Sequence, residues 1–248
     1  MDRRSLLLAL LGTTALACRT PPAARAVDEP AALASARPAA APRPLQVGFL
    51  VVDGVYGSEL MAPFDVFHHT VFHAQPGMRV FTVAPVRSTV TTFEGIRFEP
   101  DFALDAHPPI DVLVVPSAEH SMDSDLENDA LIAWVRSVGE RADWVLSFCD
   151  GAFVLAKAGL LDGRRSTTFP ADVAPMRARF PGLEVLEDVS FVHDGRCITS
   201  AGGAKSYDAA LYLCELLYGQ EAAEGIARGL VIDWDVATVK HVAGGSSR

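Results

Sequence analysis

Cys149 is the residue of this chain whose type and surroundings are best suited to covalent chemistry. It follows the apolar run Trp144 to Phe148, which reads as a buried strand, and precedes Gly151, which opens a helical pattern through Phe153, Val154, Ala158 and Leu161. A strand, a nucleophilic residue type, a small residue and a helix are the parts of a nucleophile elbow, a turn so sharp that it needs glycine nearby. The helix start would direct free backbone N–H groups and a partial positive charge at the sulfur, favouring the thiolate, which is the reactive form. The competing reading is a buried structural thiol at a strand end, a common place for free cysteine. Asp150 cuts both ways. Its carboxylate can bind water beside the sulfur, but it also repels a thiolate and raises the thiol pKa.

The elements that must position these residues alternate. Gln46 to Val52 is a continuous apolar run, the mark of a parallel strand covered on both faces. With Ser58 as N-cap, Leu60, Phe64, Val66, Phe67 and Val71 then follow at helical spacing. Met78 to Val83 and Asp111 to Val115 read as further strands, and Thr89 to Phe93 with Ile96 to Phe98 as a hairpin inserted at a sheet edge. Asp125 to Val138 is helical. After the elbow come a short helix over Ala171 to Phe180, a hairpin turning at Asp194-Gly195, and a long amphipathic helix over Ala204 to Leu217. This order predicts an α/β, doubly wound, mainly parallel sheet with helices on both faces, flavodoxin-like in type, whose site lies at the carboxyl ends of the strands. Glu59, after the first strand, and Cys149, after a later one, therefore belong at the same sheet edge.

The N-terminus has the layout of an export signal: Arg3-Arg4, an apolar run from Leu6 to Ala17 too short to span a bilayer, and Ala24-Arg25-Ala26 as a cleavage site. The double arginine also fits a twin-arginine signal. Processing as a lipoprotein at Cys18 ranks second, and only then would the protein meet a membrane. The expected organisation is a signal peptide over 1–26, an Ala/Pro-rich linker over 27–44, one domain over 45–236 and a tail over 237–248, in a protein exported to the periplasm. Residues 1–26 hold four Arg against one Asp, so their removal takes the net charge from −10 to −13. An acidic chain without a basic cluster does not suit nucleic acid, since phosphate neutralisation supplies most of that affinity. Cys197 and Cys214 can pair in an oxidising compartment or stay as buried free thiols; their spacing demands no bridge.

Four stretches together resemble the ThiJ/PfpI branch of the class I glutamine-amidotransferase-like fold: SELMAPFDVF with Glu59 and Pro63, VLVVP at Val112 to Pro116, FCDGAFVLAKAGLLDGRRSTT at the elbow, and DGRCITSAGGAKSYDAALYLCELLYG. Within it the chain is most similar to the group of isonitrile hydratases and sensor domains of AraC-type regulators. A basic helix-turn-helix extension after Asp235 is missing, which disfavours a regulator. The resemblance implies Cys149 as nucleophile, Glu59 as the acid hydrogen-bonded to its sulfur, and an oxyanion site of backbone N–H groups from Asp150 and the loop after Val115. It also implies a homodimer acting on a small molecule without a cofactor.

This sequence departs from the family pattern at three places. Ser117-Ala118 replaces a usual Gly-Gly, which brings a side chain to where backbone normally meets substrate. Asp150 stands where proteases of the branch carry histidine and isonitrile hydratases often threonine. Thr167-Thr168-Phe169 replaces a Thr-Thr-His, so a Cys-His protease is disfavoured. Gly151, Phe169 and His120, which follows the Ser117-Ala118 loop, complete the expected substrate-binding set with Ser117 and Ala118; Glu119 is the alternative to His120. His69 and His73 have the i, i+4 spacing of a two-ligand metal site, but no third ligand is identified and no metal is expected. The expected function is hydration or hydrolysis of a small electrophile through a Cys149 adduct, in the manner of isonitrile hydratase. The alternative is a non-catalytic module that binds a ligand or senses oxidation at Cys149.

Overall fold

The computed structural model describes residues 43–244. The expected export signal and all but the last two residues of the linker lie outside them. In chain order the elements are β1 (Gln46–Leu50), α1 (Gly57–His73), β2 (Arg79–Ala84), β3 (Val90–Thr91), β4 (Arg97–Phe98), β5 (Phe102–Ala103), β6 (Val112–Val115), α2 (Asp129–Arg141), β7 (Trp144–Phe148), α3 (Gly151–Lys157), β8 (Arg165–Ser166), α4 (Val173–Arg179), β9 (Glu184–Val185), β10 (Phe191–Asp194), β11 (Cys197–Ser200), α5 (Lys205–Tyr218), α6 (Gln220–Gly229) and β12 (His241–Ala243).

Eight strands form one sheet in the order β12-β10-β11-β7-β6-β1-β2-β5. Every pair in it is parallel except the β10–β11 hairpin. The central strands are buried on both faces because their alternating side chains feed two separate cores. Val47, Phe49, Val112, Val114, Leu146 and Phe148 face α1, α5 and α6. Leu113, Val115 and Val145 face α2 and α3 on the other side. The chain leaves β1 for β2 on one side and returns to β6 on the other, so the strand order reverses between β1 and β6. A crevice opens at such a switch point beyond the carboxyl ends of the strands. The segments carrying Glu59, Ser117 and Cys149 all leave the sheet there, after β1, β6 and β7.

The structure departs from the sequence reading at several places. Helix α1 begins at Gly57, and Ser58 is not its cap; the preceding Tyr56 makes no side-chain cap either. The Glu94 carboxylate takes that role by accepting the Gly57 N–H, at 3.0 and 3.1 Å to its two oxygens, so a distant loop supplies the cap. Strands β3 and β4 pair only with each other, apart from the main sheet. Their hairpin is bound instead to the loop after β1, where Phe93 N–H donates to the Val55 carbonyl (3.0 Å), Gly54 N–H to that of Thr91 (2.8 Å), and the Phe93 ring lies 4.6 Å from that of Tyr56. Helix α6 is an addition to the expected elements. Past 236 the chain turns back and β12 runs parallel to β10, with His241 stacked on Phe191 at 4.7 Å. A three-residue strand carries too little periodicity to be read, and the free edge of β10 is what recruits it.

At the other end, Arg43 clamps Asp111 with two hydrogen bonds of 2.6 and 2.7 Å, and the Gln46 N–H adds a third at 2.7 Å. Partial burial works to raise the Asp111 pKa, but the guanidinium and the N–H outweigh it and hold the carboxyl below its usual range. A depressed carboxyl contributes stability that is present above its unfolded pKa of about 3.9 and is lost as pH falls through the folded value. Asp111→Asn is therefore expected to lower the melting temperature at pH 7. The deficit should shrink in scans below about pH 4, and a deficit independent of pH would contradict the clamp.

Candidate functional site

Cys149 sits on the turn between β7 and α3 with φ 53°, a left-handed conformation that costs a non-glycine residue about 1–2 kcal/mol. Its neighbours hold it there. The Cys149 N–H donates to the Ser200 carbonyl at the end of β11 (2.9 Å). Gly151 packs so closely under β6 that a Cβ would lie 2.1 Å from the Val115 carbonyl oxygen. Gly202 approaches from beyond β11, where a Cβ would lie 2.4 Å from that of Cys149. The elbow is thus wedged between two strand ends by two glycines. Gly151 was legible as the residue that lets the turn form. Gly202 lies within the Ser200-Ala201-Gly202-Gly203 stretch, but its sequence context does not point to Cys149.

Cys149 is 7 % exposed, and its sulfur lies within the electrostatic reach of the Asp150 and Glu59 carboxyl groups. Burial is the main cause that pushes the Cys149 thiol far above its ordinary range, followed by the charges of Asp150 and Glu59. The Asp150 N–H and the Ser117 hydroxyl act the other way and favour the thiolate. The expected thiolate is therefore not the resting form. A helix terminus is worth about 1 kcal/mol or less, under one pKa unit, whereas full burial shifts a group by several. Helix α3, with only 7 residues, cannot reverse that. The Ser117 hydroxyl is buried with no well-formed hydrogen bond, though it lies close enough to the sulfur to favour a negative charge there. It is an unspent donor beside the Cys149 sulfur.

The two carboxyls are held differently. Glu59 Oε1 accepts the Gly203 N–H (2.8 Å) and Oε2 the Ser58 hydroxyl (2.9 Å). It anchors the Gly202-Gly203 turn that presses on Cys149. Asp150 Oδ1 accepts the Thr168 hydroxyl (2.9 Å), and Oδ2 faces the Cys149 sulfur at 3.7 Å. Burial first, then Asp172, push the Asp150 carboxyl up to about 6 against the opposing Thr168 hydrogen bond.

The structure brings Cys149, Asp150, Glu59, Ser117 and Gly151 together. Ala118 does not offer a backbone donor there, because its N–H is taken by the Ser121 hydroxyl (2.9 Å) and the next N–H, of Glu119, by the Gly54 carbonyl (3.0 Å). His120 does not reach the sulfur. The turn closed by Ser121 N–H on the Ala118 carbonyl carries it outward, where its half-exposed ring pairs with Asp123 at 3.2 Å. Phe169 is 43 % exposed and starts a short 3-10 turn; its neighbour Thr168 makes the contact with the elbow. Tyr56, whose hydroxyl is pushed up by burial and by the charges of Cys149 and Asp150, also belongs to the site. Asp172 and Tyr56 lie outside the motif stretches; Thr168 and Gly203 lie inside them, but nothing in the pattern singles out either side of the elbow contact.

A separate cavity of about 530 Å³ lies beyond β11, lined by Thr167, Thr168, Ala201, Lys205, Asp208 and Lys240 among others. Cys149 does not line it. Thr168 is the shared wall between the cavity and the elbow. Among the described residues no cluster of three metal-ligating side chains occurs. His69 bonds to Asp65 one turn back, and His73 packs against Gly225 of α6. Cys197 and Cys214 are buried free thiols.

Residues 45–216 match the model of the DJ-1/PfpI family. Isonitrile hydratase from Pseudomonas putida is 32% identical over 182 residues, which cover 73% of this chain and 75% of that protein. The HTH-type transcriptional regulator CdhR from Pseudomonas aeruginosa is 28% identical over 185 residues, covering 75% of this chain and 52% of the regulator, so this chain spans about half its length. A crystal structure of a ThiJ/PfpI family protein from Pseudomonas syringae superposes with a TM-score of 0.69 at 24% identity, over 78% of this chain and 77% of that one, a likeness of fold.

Proposed function

Because this chain belongs to the DJ-1/PfpI family and its elbow thiol lies against an ionisable carboxyl, we propose that it hydrates a small electrophile through a covalent Cys149 adduct, as an isonitrile hydratase would. The observation that carries this is the pairing of a protonated thiol with Asp150, whose pKa near 6 suits proton transfer in both directions at neutral pH. Asp150 accepts the S–H proton as the sulfur attacks the terminal isonitrile carbon, and the new acid delivers that proton to the same carbon. The product is a thioformimidate with new C–S and C–H bonds. Asp150 then takes a proton from water as its oxygen adds to that carbon. Asp150 passes that proton to the nitrogen, giving a tetrahedral adduct that carries the new hydroxyl; as the C–S bond breaks, the hydroxyl proton passes through Asp150 to the departing sulfur and an N-substituted formamide leaves. Water is the sole co-reactant. The Asp150 N–H and the Ser117 hydroxyl are available for the charge that develops beside the sulfur.

Incubating the full chain with simple alkyl and aryl isonitriles should yield formamide, followed by its formyl proton in NMR. Absence of turnover above that of Cys149→Ser would remove this reading. The similarity to CdhR favours a second one, in which the same site binds a small molecule without turning it over. Oxidation sensing fits less well, since a thiol pushed up by burial is a poor target for peroxide. On the sequence of residues 1–26 and the family resemblance, we propose that the protein works outside the cytoplasm as a homodimer.

A further inference from the structure

We propose that Thr168 is the positioning residue that makes Asp150, rather than Glu59, the proton carrier for Cys149. This rests on the covalent-cysteine reading above. Glu59 already has a donor on each carboxylate oxygen, the Gly203 N–H and the Ser58 hydroxyl, and moving a proton onto either oxygen would disturb the turn that wedges Cys149. Asp150 has no such burden. The Thr168 hydroxyl holds Oδ1 at 2.9 Å, which turns Oδ2 toward the sulfur at 3.7 Å.

Thr168 is itself fixed. It is fully buried, and its Oγ1 also lies 3.1 Å from the Cys149 carbonyl oxygen. The hydroxyl has one proton for these two acceptors, and the shorter contact, with the charged carboxylate, is the one it serves; burial of Thr168 beside the elbow thereby ties the orientation of Asp150 to Cys149. While Asp150 is ionised the hydroxyl donates to Oδ1. When Oδ2 receives the thiol proton, Oδ1 remains an acceptor and the hydrogen bond persists, so the carboxyl need not rotate between the two proton transfers. Preorganisation of this kind removes reorientation from the reactive step.

The other groups facing Asp150 set the direction of the test. Asp172, from the turn before α4, raises the Asp150 pKa by repulsion and by a hydrogen bond to the protonated form. Cys149 and Thr168 lower it by hydrogen bonding to the carboxylate, and Tyr56 and Glu59 lie on the α1 side of the sulfur. Removing the Thr168 hydroxyl takes away the strongest stabilisation of the ionised form, so the Asp150 pKa must rise.

Aspartate labelled with 13C at the side-chain carboxyl, in the full chain, gives a titration for Asp150 assigned by its disappearance in Asp150→Asn. The expected wild-type inflection is about 6. It should move upward by roughly half a unit or more in Thr168→Val and in Thr168→Ala, and return in Thr168→Ser. The acid limb of isonitrile turnover should move by the same amount, with kcat falling about tenfold or more and KM little changed. Thr168→Ser, which keeps the hydroxyl, should retain both. Unchanged Asp150 titration in the Val and Ala variants would overturn the proposal, as would a turnover loss in Thr168→Ser equal to that in Thr168→Val. If the carboxyl titration shifts as expected but the wild-type protein turns over no isonitrile, Thr168 still positions Asp150 and the hydration reading alone is lost.

Discussion

Gly202→Ala is expected to disable Cys149 and destabilise the domain by about 2–5 kcal/mol, the sum of left-handed strain and overpacking. Gly202 has φ +82°, and the added methyl would lie 2.4 Å from the Cys149 Cβ and 3.0 Å from its Cα. No flexible side-chain end is available to move aside. The atoms in the way belong to the elbow itself, which is held by its N–H bond to Ser200 and by Gly151 against β6. The neighbouring Gly203 provides the control. Its φ is +54°, but no atom lies within 4 Å of where an alanine methyl would stand, so Gly203→Ala carries the strain without the collision, about 1–2 kcal/mol. Urea denaturation of both variants, with iodoacetamide labelling of Cys149, separates the two costs. Equal destabilisation of the pair would show that the wedge against Cys149 has no energetic weight.

Asp150→Asn is expected to move two rates in opposite directions. The amide keeps an oxygen for the Thr168 hydroxyl but removes the negative charge that, after burial, contributes most to raising the Cys149 thiol pKa. The thiolate fraction at neutral pH then rises tenfold for each unit by which the pKa falls, and alkylation of Cys149 should accelerate about tenfold or more. Turnover of isonitrile should instead fall by roughly 10²–10⁴, because the group that carries the proton is gone. A more reactive thiol in a less active enzyme is the signature of a carboxyl that works as acid and base. If alkylation and turnover rise together, Asp150 is only an electrostatic brake and the proton moves by another route. The pH dependence follows the same logic. The wild-type acid limb should lie near the Asp150 value of about 6, with activity lost as that carboxyl protonates before it can accept the thiol proton.

Much of this was legible in the sequence because it depends on local pattern. Continuous apolar runs such as Val112 to Val115 imply strands covered on both faces, and the strand, Cys149, Gly151 and helix succession implies an elbow. The alternation of elements brings Glu59 and Cys149 to one sheet edge without knowledge of side-chain positions. What the sequence could not decide was the balance of forces at the sulfur. A helix start and two carboxyls act in opposite directions, and only the depth of burial determines which prevails; here burial and charge leave a protonated thiol. Tertiary structure alone also separated the roles of the two carboxyls, since their partners Gly203 and Thr168 lie 144 and 18 residues away in the chain. His120 shows the reverse error. Nearness in sequence to the Ser117 loop suggested a contact, but one turn closed by Ser121 directs the ring to Asp123 and solvent. Residue type and order determined the fold and the place of Cys149 on the elbow, whereas long-range hydrogen bonds and burial decided the surroundings of its thiol and which carboxyl lies free to face it.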